Sequence, residues 1–384
     1  MDFSFPPDLS KDLERFRDFL RTRVKPDVSK WYGEGTIPRS FFHAMGEGGW
    51  FGFRIRDRDI LRLSVLREAL LTEELAFLCP GVAIAALVHG ELGITGLRLF
   101  GSEFLKGRYG VSAISGKNLL CLGSTENSAG SDVAGILTRA EKVAGGWLLN
   151  GTKSYVTNGL DSDLALITAV SHPGASRNYR LSMFLVDLNS RGVTRKRLNK
   201  QVWIPSDLTR IKLSEVFVPE DHLLGEPGKG LQQVLTIFTN SRIAISALTL
   251  GTASGAFELA LDHAVKRKIF GHRIIDHQAK AFEIADFHAR IEAARLMLMK
   301  ACWTADNGED FRLEASTAKY LTVAVARDVT SWAADLFGAS SVIFESPVHR
   351  FPMDAWASSL GEGTQDVQKL VIFRNLMARR GIDL

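Results

Sequence analysis

Apolar residues recur at helical spacing through the first third of the chain. Leu13, Phe16, Leu20 and Val24 fall three and four apart with Arg, Asp and Lys on the other face, and Ser10 stands where a helix cap would. Residues 41–53, 61–78 and 82–99 are apolar-rich and punctuated by Gly or Pro rather than alternating. The pattern predicts an α-helical N-terminal domain over residues 1–117. Short β-rich runs at 164–168, 181–186 and 209–218 then take over, separated by turn clusters such as residues 172–178. They predict a middle antiparallel β domain over 118–228, with Asn150-Gly151 as a hairpin turn. Beyond 229 the helical period returns. Ile284, Phe287, Ile291, Ala294, Leu298 and Ala301 form one heptad seam, and Ala318, Thr322, Val325, Val329, Trp332 and Leu336 form another. With helices over 239–266 and from near Thr364, residues 229–384 predict a C-terminal antiparallel four-helix bundle. Gly251, Ala253, Ser254 and Gly255 place the first of these helices very close to a neighbour. The fold class is α+β multidomain.

Composition narrows the chemistry without naming it. The 384 residues carry 47 basic and 43 acidic side chains with no long single-sign run, so neither nucleic acid nor an anionic membrane is indicated. Cys79, Cys121 and Cys302 are odd in number and far apart, and the nine His residues form no ligand pattern; reduced thiols and no metal are expected. The N-terminus lacks a leader pattern and no run reads as apolar for long enough to span a bilayer, which makes cytoplasm the expected compartment. A dinucleotide-binding GxGxxG after a strand, a P-loop and a nucleophile elbow are all missing.

Three stretches remain. Cys121-Leu-Gly-Ser-Thr-Glu-Asn-Ser-Ala-Gly-Ser-Asp132 concentrates hydroxyls and small residues suited to a turn that approaches a ligand closely. Arg267-Lys-Ile-Phe-Gly-His-Arg-Ile-Ile-Asp-His-Gln278 sets a cation for a phosphate beside a ring that can stack. Ser358-Ser-Leu-Gly-Glu-Gly-Thr364 leaves Glu362 between two glycines with no packing duty, where partial burial by a bound molecule would raise its pKa toward that of a general base. Thr364 can cap the next helix, with Asp366 in its first turn. Read singly, each is an ordinary polar loop.

Together, and in this order, they resemble the acyl-CoA dehydrogenase family over essentially the whole chain. Thr125-Glu-Asn-Ser-Ala-Gly-Ser-Asp132, Leu149-Asn-Gly-Thr-Lys-Ser-Tyr-Val-Thr-Asn158, the stretch from Arg267 to Gln278, and Glu362-Gly-Thr364 match four family signatures. The resemblance implies FAD, held between the β domain, the bundle and a neighbouring subunit, in a homodimer or homotetramer. On matching positions, Leu122, Ser124 and Thr125 contact the flavin ring, Tyr155 covers one ring face, and Thr157 bonds nearby. Ser131 lies near the FAD pyrophosphate or the substrate, Arg242 and Gly363 near the substrate. Arg267, Phe270, Gln278 and the turn with Asp335, Gly338 and Ala339 reach the partner subunit's FAD, while Thr364 and Asp366 follow the catalytic loop.

The resemblance further implies that Glu362 removes the α-proton of an acyl thioester while a β-hydride passes to flavin N5. Ser241 stands where some relatives place the base. Departures concern the substrate: Gly52-Phe-Arg-Ile-Arg-Asp57 replaces a Pro-Glu-x-x-Gly-Gly loop and runs quickly into the next helix, Asn127 replaces a proline, Gly338-Ala-Ser-Ser341 replaces a Gly-Gly turn, and Thr239 stands where many CoA users carry an acid. The acyl group is therefore carried by coenzyme A or by an acyl or peptidyl carrier protein, and electrons leave to an electron-transfer flavoprotein or to oxygen. The alternative enzyme is a flavin-dependent monooxygenase or oxidase on the same fold, which needs no Glu at 362; the non-enzymatic alternative is a scaffold without cofactor.

Overall fold

The computed structural model describes residues 5–382. Its first part comprises α1 (Pro7–Phe19), α2 (Val28–Glu34), α3 (Arg39–Glu47), β1 (Phe53–Arg56), β2 (Asp59–Arg62), α4 (Val65–Leu78), α5 (Pro80–Leu87), α6 (Thr95–Phe100) and α7 (Glu103–Ile114). Helix α1 starts on proline at its first position, three residues before Ser10, because a fixed φ suits that turn and the missing N–H costs nothing there. The stretch after Gly52 is a β-hairpin, not a direct entry into helix. Asp57 and Arg58 both take positive φ, 50° and 70°, in a tight turn that pairs Ile55 with Ile60. Helix α4 begins only after Ser64, where Asp306 accepts from the N–H groups of Val65 and Leu66 at 2.7 and 3.0 Å.

The middle part contains β3 (Leu120–Gly123), β4 (Arg139–Val143), β5 (Gly146–Thr157), β6 (Leu164–Val170), β7 (Leu181–Asp187), β8 (Val193–Arg197), β9 (Leu208–Pro219) and β10 (Leu223–Leu224). They form one sheet in the order β10-β7-β6-β4-β5-β9-β8, with β3 alongside β6. Pairing is mainly antiparallel, but β3 runs parallel to β6, so the sheet is mixed. The hairpin turn lies at Ala144-Gly145, not at Asn150-Gly151, which sits inside β5. Tertiary bonding overrides that turn signal: Asn150 Oδ1 accepts from the Glu215 N–H at 2.9 Å, and a Cβ at residue 151 would meet Thr138 at 2.4 Å.

The last part holds α8 (Gly230–Lys266), a short β11 (Lys268–Ile269) and β12 (His272–Arg273) ladder, α9 (Gln278–Asp306), α10 (Arg312–Phe337), α11 (Phe351–Ala357) and α12 (Gln365–Ala378). Helix α8 starts nine residues earlier than its apolar pattern suggests, and its small residues do meet a neighbour. A Cβ on Gly251 would lie 2.2 Å from the Glu73 carbonyl of α4, and one on Gly255 would lie 2.3 Å from that of Phe77. Two helical stretches, Pro80–Phe100 and Gly230–Lys266, are long and apolar enough to cross a membrane, contrary to the sequence expectation. In this fold 89% and 83% of their most apolar windows are buried.

All three parts converge on Asp354 of α11. Its carboxyl accepts from Tyr32 Oη of α2 at 2.9 Å and from the Trp203 N–H of the β8–β9 loop at 2.5 Å. Burial pushes this carboxyl up to about 6, with the Trp203 and Tyr32 donors opposing the rise.

The close helix contact predicts an inverted glycine effect. Gly251→Ala should lower the urea midpoint, whereas Gly107→Ala in α7, which opens onto empty space, should raise stability by up to about 1 kcal/mol as an exposed helical glycine does.

Candidate active site

A cavity of about 540 Å³ opens where the three parts meet. Ile84, Val88 and Leu92 line it from the N-terminal helices; Leu122, Ser124, Thr125, Ser131, Tyr155 and Thr157 from the sheet; Phe238, Arg242, Leu360, Glu362 and Gly363 from the helical C-terminal part. Nine candidate residues from the sequence thus share one hollow. A wider groove of about 970 Å³, rimmed by Arg17, Glu73, Asp262 and Arg350, holds none of them.

The sheet side is fixed by a buried ion pair. Glu126, in the loop after β3, accepts from Lys153 Nζ of β5 at 2.8 Å, from Thr138 Oγ1 and N–H at 2.5 and 2.9 Å, and from the Leu137 N–H at 2.7 Å. Burial pushes the Glu126 carboxyl up, but Lys153 and the other donors outweigh it and hold the carboxyl below its ordinary range. Lys153 itself is pushed down to about 8 by burial, with Glu126 opposing. Four donors on one carboxylate keep the pair charged. Lys153 also grips the Ser124 carbonyl at 3.1 Å, and the Ser154 N–H donates to the Thr125 carbonyl at 2.9 Å, so the loop is pinned where Ser124 and Thr125 face the cavity.

Two residues after Lys153 the ladder to β9 slips its register, and Tyr155 takes φ 58°. Such a bulge re-aims a side chain. Tyr155 accordingly stands 58% exposed on the cavity wall instead of packing in the sheet.

Opposite lies Glu362, itself in the left-handed region at φ 50° and followed by Gly363 at 94°. A non-glycine residue there costs about 1–3 kcal/mol, and such strain gathers at functional sites. The strain is held by side chains from three helices. Arg242 Nε of α8 and Gln368 Nε2 of α12 donate to the Glu362 carbonyl at 3.3 and 3.1 Å, and Lys319 Nζ of α10 donates to the carbonyls of Gly361 and Gly363. Burial pushes the Glu362 carboxyl up, with Lys319 and Arg242 pulling it back. The side chain is half-buried by area, since the cavity leaves it a passage, yet surrounded by protein on the other sides.

The cavity suits a ligand larger than water. A Cβ on Gly130 or Gly361, both on its wall, would enter open space, and the Trp203 indole N–H nearby is buried without a partner. Thr364 caps α12, its hydroxyl accepting from the Val367 N–H at 3.4 Å, and Asp366 lies exposed in the first turn beside Lys369; neither lines the hollow.

Arg267, Phe270, Gln278, Asp335, Gly338 and Ala339 are absent from the hollow as well. At about 1.5 Å per residue, α8 carries Arg267 roughly 37 Å beyond Arg242. There the β11–β12 turn presents Phe270 94% exposed, and His263 stacks on Phe337 at 4.3 Å, bringing the two segments together at one end of the bundle.

Sequence reasoning missed Lys319, Gln368, Lys200 and Trp203. Lys319 falls on the buried α10 stripe with Ala315, Val323 and Ala326, and a lysine on such a stripe is a signal. Lys153 shares the inward parity of Trp147 and Leu149, an equally legible mark. Lys200, on the cavity wall, donates to Ser206 Oγ at 2.7 Å and is pushed down to about 7 by burial.

Comparison with known proteins adds three family matches: "Acyl-CoA dehydrogenase, N-terminal domain" at residues 9–117, "Acyl-CoA dehydrogenase, middle domain" at 121–216 and "Acyl-CoA dehydrogenase, C-terminal domain" at 228–377. The probable acyl-CoA dehydrogenase YngJ of Bacillus subtilis is 31% identical over 379 residues, covering 98% of this chain and 100% of that one. Butyryl-CoA dehydrogenase from Megasphaera elsdenii superposes with a TM-score of 0.93 at 29% identity, covering 98% and 100% of the two chains. A structure of PigA with FAD and proline gives 0.93 at 26% identity, covering 99% and 100%.

Because the Glu126–Lys153 pair is buried, removing one partner strands the other. Lys153→Met should cost about 3–5 kcal/mol in chemical denaturation, and Lys153→Met combined with Glu126→Leu should cost less than the single change.

Proposed function

This chain belongs to the acyl-CoA dehydrogenase family, and on that premise we propose that Glu362 is the base of an FAD-dependent enzyme that desaturates an acyl thioester between its α and β carbons. The observation that carries the proposal is a placement: among the described residues, Glu362 is the one carboxylate that lines the cavity. Its raised pKa gives it affinity for a proton, and the two neighbouring cations keep it from being filled beforehand.

The hollow fits the cofactor. Leu122, Ser124, Thr125, Tyr155 and Thr157 would hold the flavin ring from the sheet side, and the space beside Gly130 and Gly361 lets a ring and an acyl chain approach the backbone. FAD, when bound, supplies a two-electron acceptor for the β-hydride. Glu362 takes the proton from the α-carbon. Ser131, Arg242 and Gly363 border the thioester, and Ile84, Val88, Leu92 and Phe238 keep water from its acyl chain.

Arg267, Phe270 and Gln278, with the turn at Asp335, Gly338 and Ala339, lie too far along the bundle to serve the same hollow. They fit the cofactor of a second copy, so the working unit is at least a dimer. Thr364 and Asp366 act locally, by starting α12 behind the Glu362 loop. With domain limits proposed near residues 117 and 228, the cavity draws its lining from all three domains. Coenzyme A is the first candidate handle, in line with butyryl-CoA dehydrogenase. An acidic carrier protein is the second, which Arg54, Arg56 and Arg58 could meet from the β1–β2 hairpin, where they stand exposed beside Asp57 and Asp59. The electron acceptor is an electron-transfer flavoprotein or oxygen.

Anaerobic mixing of the yellow holoenzyme with a panel of CoA- and carrier-bound acyl groups should bleach it. Glu362→Gln should keep the colour and lose about 10²–10⁴ in bleaching rate; wild-type bleaching by that variant would refute the base. Arg267→Ala with Phe270→Ala should lower FAD content, measured by absorbance after desalting, while leaving the thermal midpoint of the apoprotein in place.

A further inference from the structure

The loop that carries Glu362 surrenders its carbonyls to buried donors. Lys319 Nζ, on a fully buried side chain, donates to the Gly361 carbonyl and, at 2.5 Å, to that of Gly363. Arg242 and Gln368 share the carbonyl between them, and Gln368 also reaches that of Gly363 at 2.9 Å. A trans peptide carries its C=O and N–H on opposite edges. The N–H of Glu362 shares a peptide with the Gly361 carbonyl, so a lysine holding that oxygen turns the N–H away from α10. No backbone carbonyl among the described residues accepts it. Gly361, Glu362 and Gly363 all form part of the cavity wall.

We propose that Lys319 is the positioning residue of Glu362: one ammonium, bonded to the carbonyls on both sides of the base, fixes its left-handed backbone and sets its N–H on the peptide edge opposite that ammonium. The proposal rests on Glu362 being the base and adds what makes it one. Beyond the clamp, the charge of the same ammonium acts on the carboxylate that it positions.

The charged groups around Glu362 come from several elements. Lys319 of α10 and Arg242 of α8 act on it directly, Lys200 of the middle domain lines the same cavity, and Asp366 of α12 is turned to solvent beside Lys369. The N-terminal domain contributes apolar Ile84, Val88 and Leu92. Lys319 in turn is pushed down to about 8, burial lowering it while Glu362 opposes and Arg242 adds. A cation beside a carboxylate favours its ionised form, so loss of Lys319 raises the pKa of Glu362.

The test is single-turnover anaerobic reduction of the holoenzyme by an acyl-CoA across pH, with FAD content and melting temperature measured alongside. In Lys319→Met the limb that rises with pH should move up by about one unit or more and the plateau should fall by about 10–100-fold, with KM little changed. Lys319→Arg should restore the position of the limb but not the full plateau, because its planar fork replaces a point donor. An unmoved limb in Lys319→Met, whatever the change in melting temperature, overturns the proposal. Should that variant fail to fold, reciprocity supplies the same test from the other partner: Glu362→Gln must lower the pKa of Lys319, read from labelled lysine resonances, and an unchanged value overturns it equally. Glu362→Gln that still bleaches would instead defeat the base assignment, which keeps the two failures apart.

Discussion

Two backbone contacts of the longest helix set where everything else can go. Gly251 and Gly255 bring α8 against the carbonyls of Glu73 and Phe77 on α4, an approach that any side chain at those positions would block. The helix then runs from the cavity, which Phe238 and Arg242 line, to the exposed turn at Phe270. Its position relative to α4 fixes the spacing between the apolar wall of the N-terminal domain and the Glu362 loop. The packing is the cause, and the width of the hollow is its consequence.

Charge inside the hollow is handled by layers. Lys153 and Lys319 are both fully buried, a costly state that is tolerated because each is surrounded by oxygen acceptors. Lys153 spends its hydrogen bonds on a carboxylate and a loop carbonyl, Lys319 on carbonyls alone. Neither faces the cavity, yet each stations the segment that does. Tyr155, Trp203 and Glu362, three of the eight non-glycine residues with positive φ among the described residues, all line the cavity.

Much of this was legible in the chain. Heptad seams gave the bundle, and the glycines of α8 announced a close neighbour, because helical period and side-chain size act locally. Asn150-Gly151 and the 52–62 segment misled because each carries a local preference that tertiary contact overrode, whereas Ser10 lost the helix start to a rival local signal, the proline three residues earlier. Asn150 is recruited across the ladder by Glu215, and the hairpin is tied down beneath α4 and α8, where Arg62 bonds Glu68, Glu91 and Asn240. The candidate residues of the cavity were found because they cluster in short polar stretches. Gln368 and Trp203 were not, since their importance arises from where distant elements meet, which spacing along one segment does not encode; Lys319 left only the mark of a lysine on an apolar stripe.

The Glu126–Lys153 pair has a bearing on how such a chain can vary. Its two members belong to separate stretches, twenty-seven residues apart, and either one alone in that interior is a liability. Drift at one position is therefore tolerated only alongside drift at the other, so the loop and the strand change as a unit. A lineage that loses the coupling must pass through a poorly folded ancestor or abandon both at once.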